Sequence, residues 1–599
     1  MKLDFSYYKN DIYYNTGKYE EKIIEYIKNN NSESYEEILE KDSSDEIILA
    51  LSSIRNNMVY AYDFKPNSTI LEIGAHFGEV TNLLCEKASK VISIESVKSR
   101  AEAISKRCEN KENLEIIVGN LEDIKLEEKF DYITLFGILE YAQIFFDTEN
   151  PARDLINYCK QLLKEDGKIL IATNNKFALK AYVGDIDECT NNTFDSITGY
   201  KSSKKTYKLG KQEIEKILVD LGLNYYKFLY LLPDYKLPNI AFSDEYLPSS
   251  SKINEYFPYY NNDSSIFFSE VDAYDTIIRE NKELFKFFAN SYFIEASAID
   301  LKNDTKYVSF NNYRKKKYRL MTKIKEDVVE KTYTNPESKE HLENMGQNIQ
   351  NMQEEGIEIL DKYDNEKIIS KFIKDKLVSQ KISDNLDNKE YIINLLKKYK
   401  EEIYKISEEY DVNKKTIFDK FLPEVDKQEI KKFKYLKSGY WDMIFKNCFL
   451  IEDKFVFFDQ EWKEENIPSE ILIYRCIINI GKLRSKIEEY NLYEEMGIKE
   501  YIDLFEKLDN KISSEIFDNK IFELYTRKHI NPIYENGKLK EDLNIEKSKT
   551  NELEKSINNL TNEIFQKDAE IKNLKKSLDD IYKSKSWKLI RGLNKLLNK

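Results

Sequence analysis

Short apolar runs alternate with helix-length amphipathic stretches from residue 69 to residue 174. The runs "TILEIG", "KVISIES", "LEIIVGN", "FDYITLFG" and "KILIATNN" read as strands, and "VTNLLCEKA", "SRAEAISKRC" and "PARDLINYCKQLLKEDG" as the helices between them. Strands spaced by helices of that length make parallel βαβ units, so the pattern predicts an α/β domain with an open, doubly wound sheet over residues 51–245. Ahead of it, residues 1–50 are polar and helix-prone. They lead into "DEIILALSSIRNNMVYAYDF", whose apolar positions recur at helical spacing, a helical leader packed on the domain.

Beyond residue 245 the period changes. No glycine falls between Gly222 and Gly346, and "LPDYKLPNIAFSDEYLPSSS" clusters prolines and serines, which predicts an aromatic, mostly helical connector over residues 246–304. Residues 305–535 read as hairpin strands, "KYRLMTKIKEDVVEKTY" and "IEILDKYDNEKIISKFI", followed by helices, an α+β domain. Leu553, Ile557, Leu560, Ile564, Ile571, Leu574, Leu578 and Ile581 repeat with 4,3 spacing, the missing place falling on Lys567. Residues 540–582 are therefore expected to form a coiled coil, and through it a homo-oligomer. The tail, residues 583–599, carries six basic side chains and no acid beside Trp587, Leu589, Ile590 and Leu593. A basic amphipathic segment of this kind suits an anionic membrane surface.

With 599 residues, 41% hydrophobic and 33% charged, and with 43 Tyr and 32 Phe, the chain has material for several cores, which excludes a disordered protein. A net charge of −14 argues against nucleic acid as the main partner, because phosphate binding needs a basic face. The six cysteines and three histidines are scattered without paired spacing. No zinc site or disulfide framework is indicated, and a reducing cytoplasm is the expected compartment. The N-terminus lacks a basic start running into an apolar stretch, and no run approaches about 18 apolar residues, so neither a signal peptide nor a membrane span is expected.

The first strand opens into "ILEIGAHFGEVT", an E-x-G-x-x-x-G turn with Glu72, Gly74 and Gly78. Glycines at a strand-to-helix turn let the backbone approach a ligand at the switch point of an open sheet. The second strand ends at Glu95, where an acid can accept both hydroxyls of a ribose, and the third is followed by Asn120, Leu121 and Asp123. Over about residues 50–240 this order resembles the class I S-adenosylmethionine-dependent methyltransferases. The resemblance implies a Rossmann-like domain binding S-adenosylmethionine, with Glu95 on the ribose, the Gly74–Gly78 loop along the methionine part, and Asn120 with Leu121 beside the adenine. His76 stands where the family keeps its middle glycine; it either points out of the loop or offers the acceptor a base. Glu140, Tyr141, Asn174 and Asn175 follow the fourth and fifth strands, where acceptor-aligning groups belong, or act as cap and turn residues. A nicotinamide-binding Rossmann domain is the alternative that shares the glycine turn and the acid.

A second constellation lies in "YWDMIFKNCFLIEDKFVFFDQEW", residues 440–462: Asp442, then Asn447, then Asp459 and Glu461 behind a short hairpin. Upstream, "DVVEKTY" sets Lys331 on a strand, with Glu340 or Glu343 on the next helix as its ion-pair partner. This order resembles protein-kinase-type phosphotransferases, and Asp459-x-Glu461 resembles the choline-kinase-like and aminoglycoside-phosphotransferase-like branch. The resemblance implies a kinase-like domain using ATP and Mg2+, with Lys331 on the phosphates, Asp442 orienting the acceptor hydroxyl, and Asn447, Asp459 and Glu461 on the metal. Two departures stand: no glycine-rich loop precedes Lys331, and Tyr440 replaces the usual His. Chance acids in a charged hairpin are the plain alternative, which leaves the second half a non-catalytic interaction module.

A methyltransferase, a kinase-like domain and a coiled coil in that order resemble the bifunctional enzymes that terminate O-antigen polysaccharides. "SKSWKLIRGL" also resembles the S-x-S-W-x-L ending of bacterial surface-glycan glycosyltransferases and their partners. These resemblances imply an enzyme at the inner face of the membrane that methylates, and also phosphorylates, a glycan or its lipid-linked precursor. A small-molecule methyltransferase with no glycan link is the other reading.

Overall fold

Each apolar run of the first domain becomes a strand. In the computed structural model, which describes residues 1–13, 19–30, 35–201, 206–526 and 532–597, these are β1 (Lys2–Asp4), β2 (Thr69–Ile73), β3 (Lys90–Glu95), β4 (Leu114–Val118), β5 (Phe130–Phe136) and β6 (Leu163–Asn174). β2 to β6 pair in parallel in the order β4-β3-β2-β5-β6. Apolar clusters flank both faces, with Leu71 and Ile133 on one side and Ile70 and Val91 on the other. Strands buried on two faces read as continuous Ile, Leu and Val rather than as an alternation.

Three antiparallel strands extend this sheet: β7 (Tyr225–Leu232), β8 (Ile240–Ser243) and β9 (Ser291–Ser297). β9 inserts between β6 and β7, giving β4-β3-β2-β5-β6-β9-β7-β8. This corrects the connector expected over residues 246–304. The stretch does hold helix Glu270–Asn281, but "SYFIEAS" near its end is a sheet strand buried at all seven positions. The leader is corrected too. Besides helices Glu20–Asn29, Glu36–Lys41 and Asp45–Leu51 it supplies β1, which pairs in parallel with β4 at the sheet edge.

The hairpin strands beyond residue 305 continue the same ladder. β10 (Tyr307–Phe310) pairs antiparallel with β8, and β11 (Leu320–Ile324), β12 (Val328–Tyr333), β13 (Lys362–Asp364) and β14 (Lys367–Lys371) follow in the order β10-β11-β12-β14-β13, completing a 14-stranded sheet. Helix Lys339–Glu354 lays Leu342, Met345 and Ile349 on this end of it. A separate core then gathers helices Lys389–Lys405 and Ser469–Ile478 around a three-stranded sheet and a hairpin. The sheet is β15 (Ser407–Glu409), β16 (Lys434–Tyr440) and a later strand; the hairpin is β17 (Cys448–Ile451) with β18 (Lys454–Phe457); and β19 (Lys463–Pro468) is that later strand.

Residues 530–599 belong to a second compact unit. Within it, helix Pro532–Lys583 holds the 4,3 stripe and helix Lys585–Leu597 holds most of the basic tail, whose last two residues, 598 and 599, lie outside the described ones. The stripe is open to solvent, with Leu553 64% and Leu574 66% exposed. Among the described residues no helix is long and apolar enough to cross a membrane.

Candidate functional site

The turn leaving β2 passes through three left-handed residues, Gly74 (φ +75), His76 (φ +53) and Gly78 (φ +73). A Cβ at position 74 would strike the Ile138 side chain, so glycine is required there. At His76 a side chain occupies a conformation that glycine holds more easily, and two contacts keep it there. Its backbone N–H donates to Glu95 Oε2 at 2.8 Å, and its Nδ1 lies 2.6 Å from Glu79 Oε1. Glu95 Oε1 accepts the Val97 N–H at 3.0 Å, so this fully buried carboxylate ties the loop to the end of β3.

Two more acids lie under the loop and differ in charge. Burial pushes the Glu72 carboxyl up to about 7, against the Ser93 and Thr81 hydroxyls that donate to it at 2.6 and 2.7 Å. Burial acts on Glu79 in the same sense, but the His76 imidazole, with Arg55 and Arg107, outweighs it and holds the carboxyl down at about 2. His76 therefore neither points away from the loop nor stands free as a base. Its ring lines the cavity beside the loop and Nδ1 is held by Glu79.

That cavity is closed by Ile138 and Tyr141 after β5, by Tyr235 and Lys236 after β7, and by Leu49 of the leader. Glu95, Asn120 and Leu121 are outside its lining, along the ends of β3 and β4. Asn120 Oδ1 is buried with no hydrogen-bond partner among the described residues, an acceptor left for a donor such as the exocyclic amine of adenine. It is the atom that fits a bound S-adenosylmethionine. The leader crosses the same strand ends, with the Ser96 hydroxyl donating to Ile12 O at 2.6 Å, the Lys98 N–H to Asp11 at 2.8 Å, and Arg100 to Glu20 at 2.7 Å.

The second constellation also converges. Lys331 on β12 is buried and pairs with Asp459 and, at 2.9 Å, with Glu461. Burial pulls the ammonium down, but the two carboxylates outweigh it and raise its pKa. Glu461 also pairs with Arg314 and lies 3.1 Å from His341 Nε2. Burial opposes its charge, yet Arg314, Lys331 and His341 hold it well below the usual carboxylate range. Asp459 adopts a left-handed φ of +58 and its N–H donates to Asp361 at 2.6 Å. Asp442 is 3.8 Å from Arg475; burial, which that cation only partly offsets, brings its carboxyl up to about 7. Asn447 Nδ2 donates to the Asp442 carbonyl at 3.4 Å.

Two expectations are corrected here. Glu340 and Glu343 do not pair with Lys331: they lie on the exposed face of helix Lys339–Glu354, whose inner face presents His341, Leu342 and Met345. Glu461 offers no vacant oxygen to a metal, because Arg314, Lys331 and the His341 ring already engage its carboxylate. Among the described residues no group of three His, Cys, Asp or Glu side chains is arranged as a metal site. Arg314, His341 and Arg475 were not singled out in the sequence. A lone Arg or His in a charged chain carries no periodic signal, and only long-range folding brings these three to the acids.

Residues 71–171 match the family model described as "Methyltransferase domain". The probable ribosomal RNA small subunit methyltransferase A of Methanosarcina acetivorans is 35% identical over 78 residues, 13% of this chain and 29% of that protein. Its counterpart in Methanosarcina mazei is 35% identical over 28% of its own length, so the chain spans under a third of these curated relatives. Among solved structures, phosphoethanolamine N-methyltransferase 1 of Haemonchus contortus, in complex with phosphoethanolamine and S-adenosylhomocysteine, is 12% identical with a TM-score of 0.27, covering 47% of this chain and 50% of that one. The CcbJ methyltransferase of Streptomyces caelestis is 16% identical with a TM-score of 0.19, covering 22% of this chain and 51% of that one. The span 71–171 carries a methyltransferase domain.

The Glu72 carboxyl generates a pH prediction. It ionises at about 7 in the folded protein and near 4.5 otherwise, so the folded state holds its proton longer. The stability it contributes is full below about pH 4.5 and is lost as pH rises to about 7. Glu72→Gln removes that loss. Relative to the native protein, the variant should gain up to about 3 kcal/mol between pH 4.5 and 8, read by thermal unfolding at both values. A difference in Tm that is the same at both pH values would contradict the assignment.

Proposed function

We propose that the chain is an S-adenosylmethionine-dependent methyltransferase acting on a bacterial cell-surface glycan or its lipid-linked precursor. The observation that carries the methyltransferase reading is the glycine turn tied to Glu95 beside the orphaned Asn120 Oδ1, within the span matched by the methyltransferase domain. In this reading Glu95 holds the ribose, the Gly74–Gly78 loop lies along the methionine part, and Asn120 with Leu121 borders the adenine. The cofactor supplies an electrophilic methyl group; the protein aligns and desolvates the acceptor. An RNA acceptor, which the name of the archaeal relatives indicates for them, would meet a chain of net charge −14. That balance disfavours phosphate-rich partners. A glycan acceptor agrees with it, and the "SKSWKLIRGL" tail supports the same choice.

A second reading adds phosphoryl transfer from ATP with Mg2+. The observation favouring it is the buried convergence of Lys331, Asp442, Asn447, Asp459 and Glu461, in an order set by strands, a helix and then a hairpin. Lys331, released from Asp459, would meet the phosphates, leaving Asp459 and Asn447 for the metal that accompanies the nucleotide. Glu461, held by Arg314 and His341, then acts as a positioning residue for Lys331. In the C-terminal unit, the open apolar stripe would pair between copies as a coiled coil, and the basic tail would meet anionic lipid.

Three measurements test these readings. In calorimetry with S-adenosylhomocysteine, Glu95→Ala and Asn120→Ala should each weaken binding by about 1 to 3 kcal/mol, the cost of stranding buried polar partners; unchanged affinity in both would remove the cofactor assignment. ATP at about 10 mM, above the usual substrate range, should raise Tm only when Mg2+ is present, and Asp459→Asn should abolish that dependence. No stabilisation by ATP and Mg2+ would leave the second half an interaction module. Deleting residues 540–599 should lower the mass seen by light scattering and end co-sedimentation with anionic vesicles, while S-adenosylhomocysteine affinity is unchanged. The same mass before and after deletion would rule out assembly through the stripe.

A further inference from the structure

Lys236 sits in the loop after β7, held by its own N–H donating to Asp234 at 2.9 Å. Its side chain is 15% exposed and pairs with Glu188. It lines two cavities at once. One is the cavity of the glycine turn, which also takes in Gly74, His76 and Glu79. The other lies beyond the carboxyl end of β6 and includes Asn174, Asn175 and Tyr259. In this second cavity the lysines are already matched to acids. Lys180 is 2.9 Å from Asp234 and 3.4 Å from Asp185, and Lys208 is 2.9 Å from Asp187. With Glu188 and Asp45, acids outnumber lysines there by five to three. Such a wall repels phosphate and carboxylate but offers amides, hydroxyls and paired charges that can both donate to and accept from uncharged hydroxyl groups.

We propose that the second cavity seats a neutral, polyhydroxylated acceptor and that Lys236, at the seam of the two cavities, is the base that takes the proton from the hydroxyl to be methylated. The proposal rests on the methyltransferase reading and names the acceptor class for it. Burial, then the charges of Lys180 and Arg55, pull the Lys236 ammonium down to about 7, with Glu140 and Asp187 opposing. The Glu188 contact acts the other way and favours the charged form, so the role as base stands on the place of Lys236 in the lining of both cavities. The Nζ lone pair accepts the hydroxyl proton while the acceptor oxygen bonds to the methyl carbon. The methyl–sulfur bond breaks with its electron pair staying on sulfur, and Lys236 ends as an ammonium balanced by Glu188. Asn174, whose Nδ2 donates to Glu188, fixes that carboxylate from the acceptor side.

The probes are three nitrogen analogues of S-adenosylmethionine, carrying methyl, propyl or 2,3-dihydroxypropyl at the nitrogen that replaces sulfur. By calorimetry, the dihydroxypropyl analogue should bind the native protein about tenfold more tightly than the methyl parent, about 1.4 kcal/mol, and the propyl analogue no more tightly than the parent. Lys236→Met should erase the tenfold gain, read as the ratio of the two affinities within the variant, and its circular dichroism and Tm report that it is folded. Failure of the parent to bind native protein would remove the cofactor reading itself. If the parent binds and the dihydroxypropyl group brings no gain, or the gain survives in Lys236→Met, the acceptor assignment falls alone. Trace acylation across pH, read by mass spectrometry of the peptide holding residue 236, should give a labelling midpoint near 7; a midpoint above about 9, near that of an ordinary lysine, overturns the role as base.

Discussion

The antiparallel pairing of β8 with β10 decides the arrangement of the first unit. Tyr307, Val308 and Ser309 register against Phe242, Ala241 and Ile240, and without them β8 would present an open row of N–H and C=O groups at the end of the methyltransferase sheet. With them, the sheet runs on to β12 and Lys331. The glycine turn and the Lys331 cluster thus stand on one hydrogen-bonded ladder rather than on two domains joined by a tether. Ion pairs brace the junction, with Lys323 on β11 2.8 Å from Asp63, just before β2, and Arg319 2.6 Å from Glu36 of the leader. Their side chains are exposed to very different degrees, 3% for Lys323 and 63% for Asp63, so the first of these is half in water and contributes by placing the strands more than by its Coulomb energy.

Both clusters bury more charge than stability alone would select. Taking a carboxylate out of water is costly unless cations and hydrogen-bond donors replace the lost hydration. Glu95 receives backbone amides, Glu79 an imidazole and two arginines, and Glu461 two cations and an imidazole, whereas Glu72 receives two hydroxyls and is pushed up to about 7. Local donors set the direction: Glu79 and Glu461, which face cations, are held low, and Glu72, which faces only hydroxyls, is pushed up by burial. Perturbed groups of this kind gather where chemistry occurs, and both motif sites hold them, while the buried Glu270 is another, outside either one.

How much of this was legible in the sequence depended on range. The glycine turn, Glu95 and Asn120 follow strands whose apolar runs are local signals, and periodicity suffices to order them. The hairpin order from Lys331 to Glu461 was legible for the same reason. Which strand pairs with which is not local. "SYFIEAS" has a strand's composition, but nothing in its neighbourhood says that it enters between β6 and β7, and a proline- and serine-rich approach suggested a connector. The partner of Lys331 was misjudged by one face of a helix: Glu340 and Glu343 flank His341 and Leu342, and the apolar neighbours turn inward while the acids turn out. Lys236 carried no motif at all. Its interest comes from lining two cavities, a property of the folded chain only.

The C-terminal unit poses the opposite problem, since its pattern is plain and its apolar stripe is exposed. A helix of 52 residues with Ile557, Leu560 and Ile564 each about 60% exposed leaves an apolar seam in water. Isolated helices draw most of their stability from burying such a face, so a seam of four heptads is costly to leave uncovered. The narrow 4,3 stripe matches the knobs-into-holes geometry of paired helices rather than the broader face that packs on a globular core. Lys567 interrupts the stripe at one place, where in the proposed pairing a charged side chain would weaken association while favouring one register. A second copy of the same stripe would cover the seam with identical spacing, which is the proposed pairing's physical rationale.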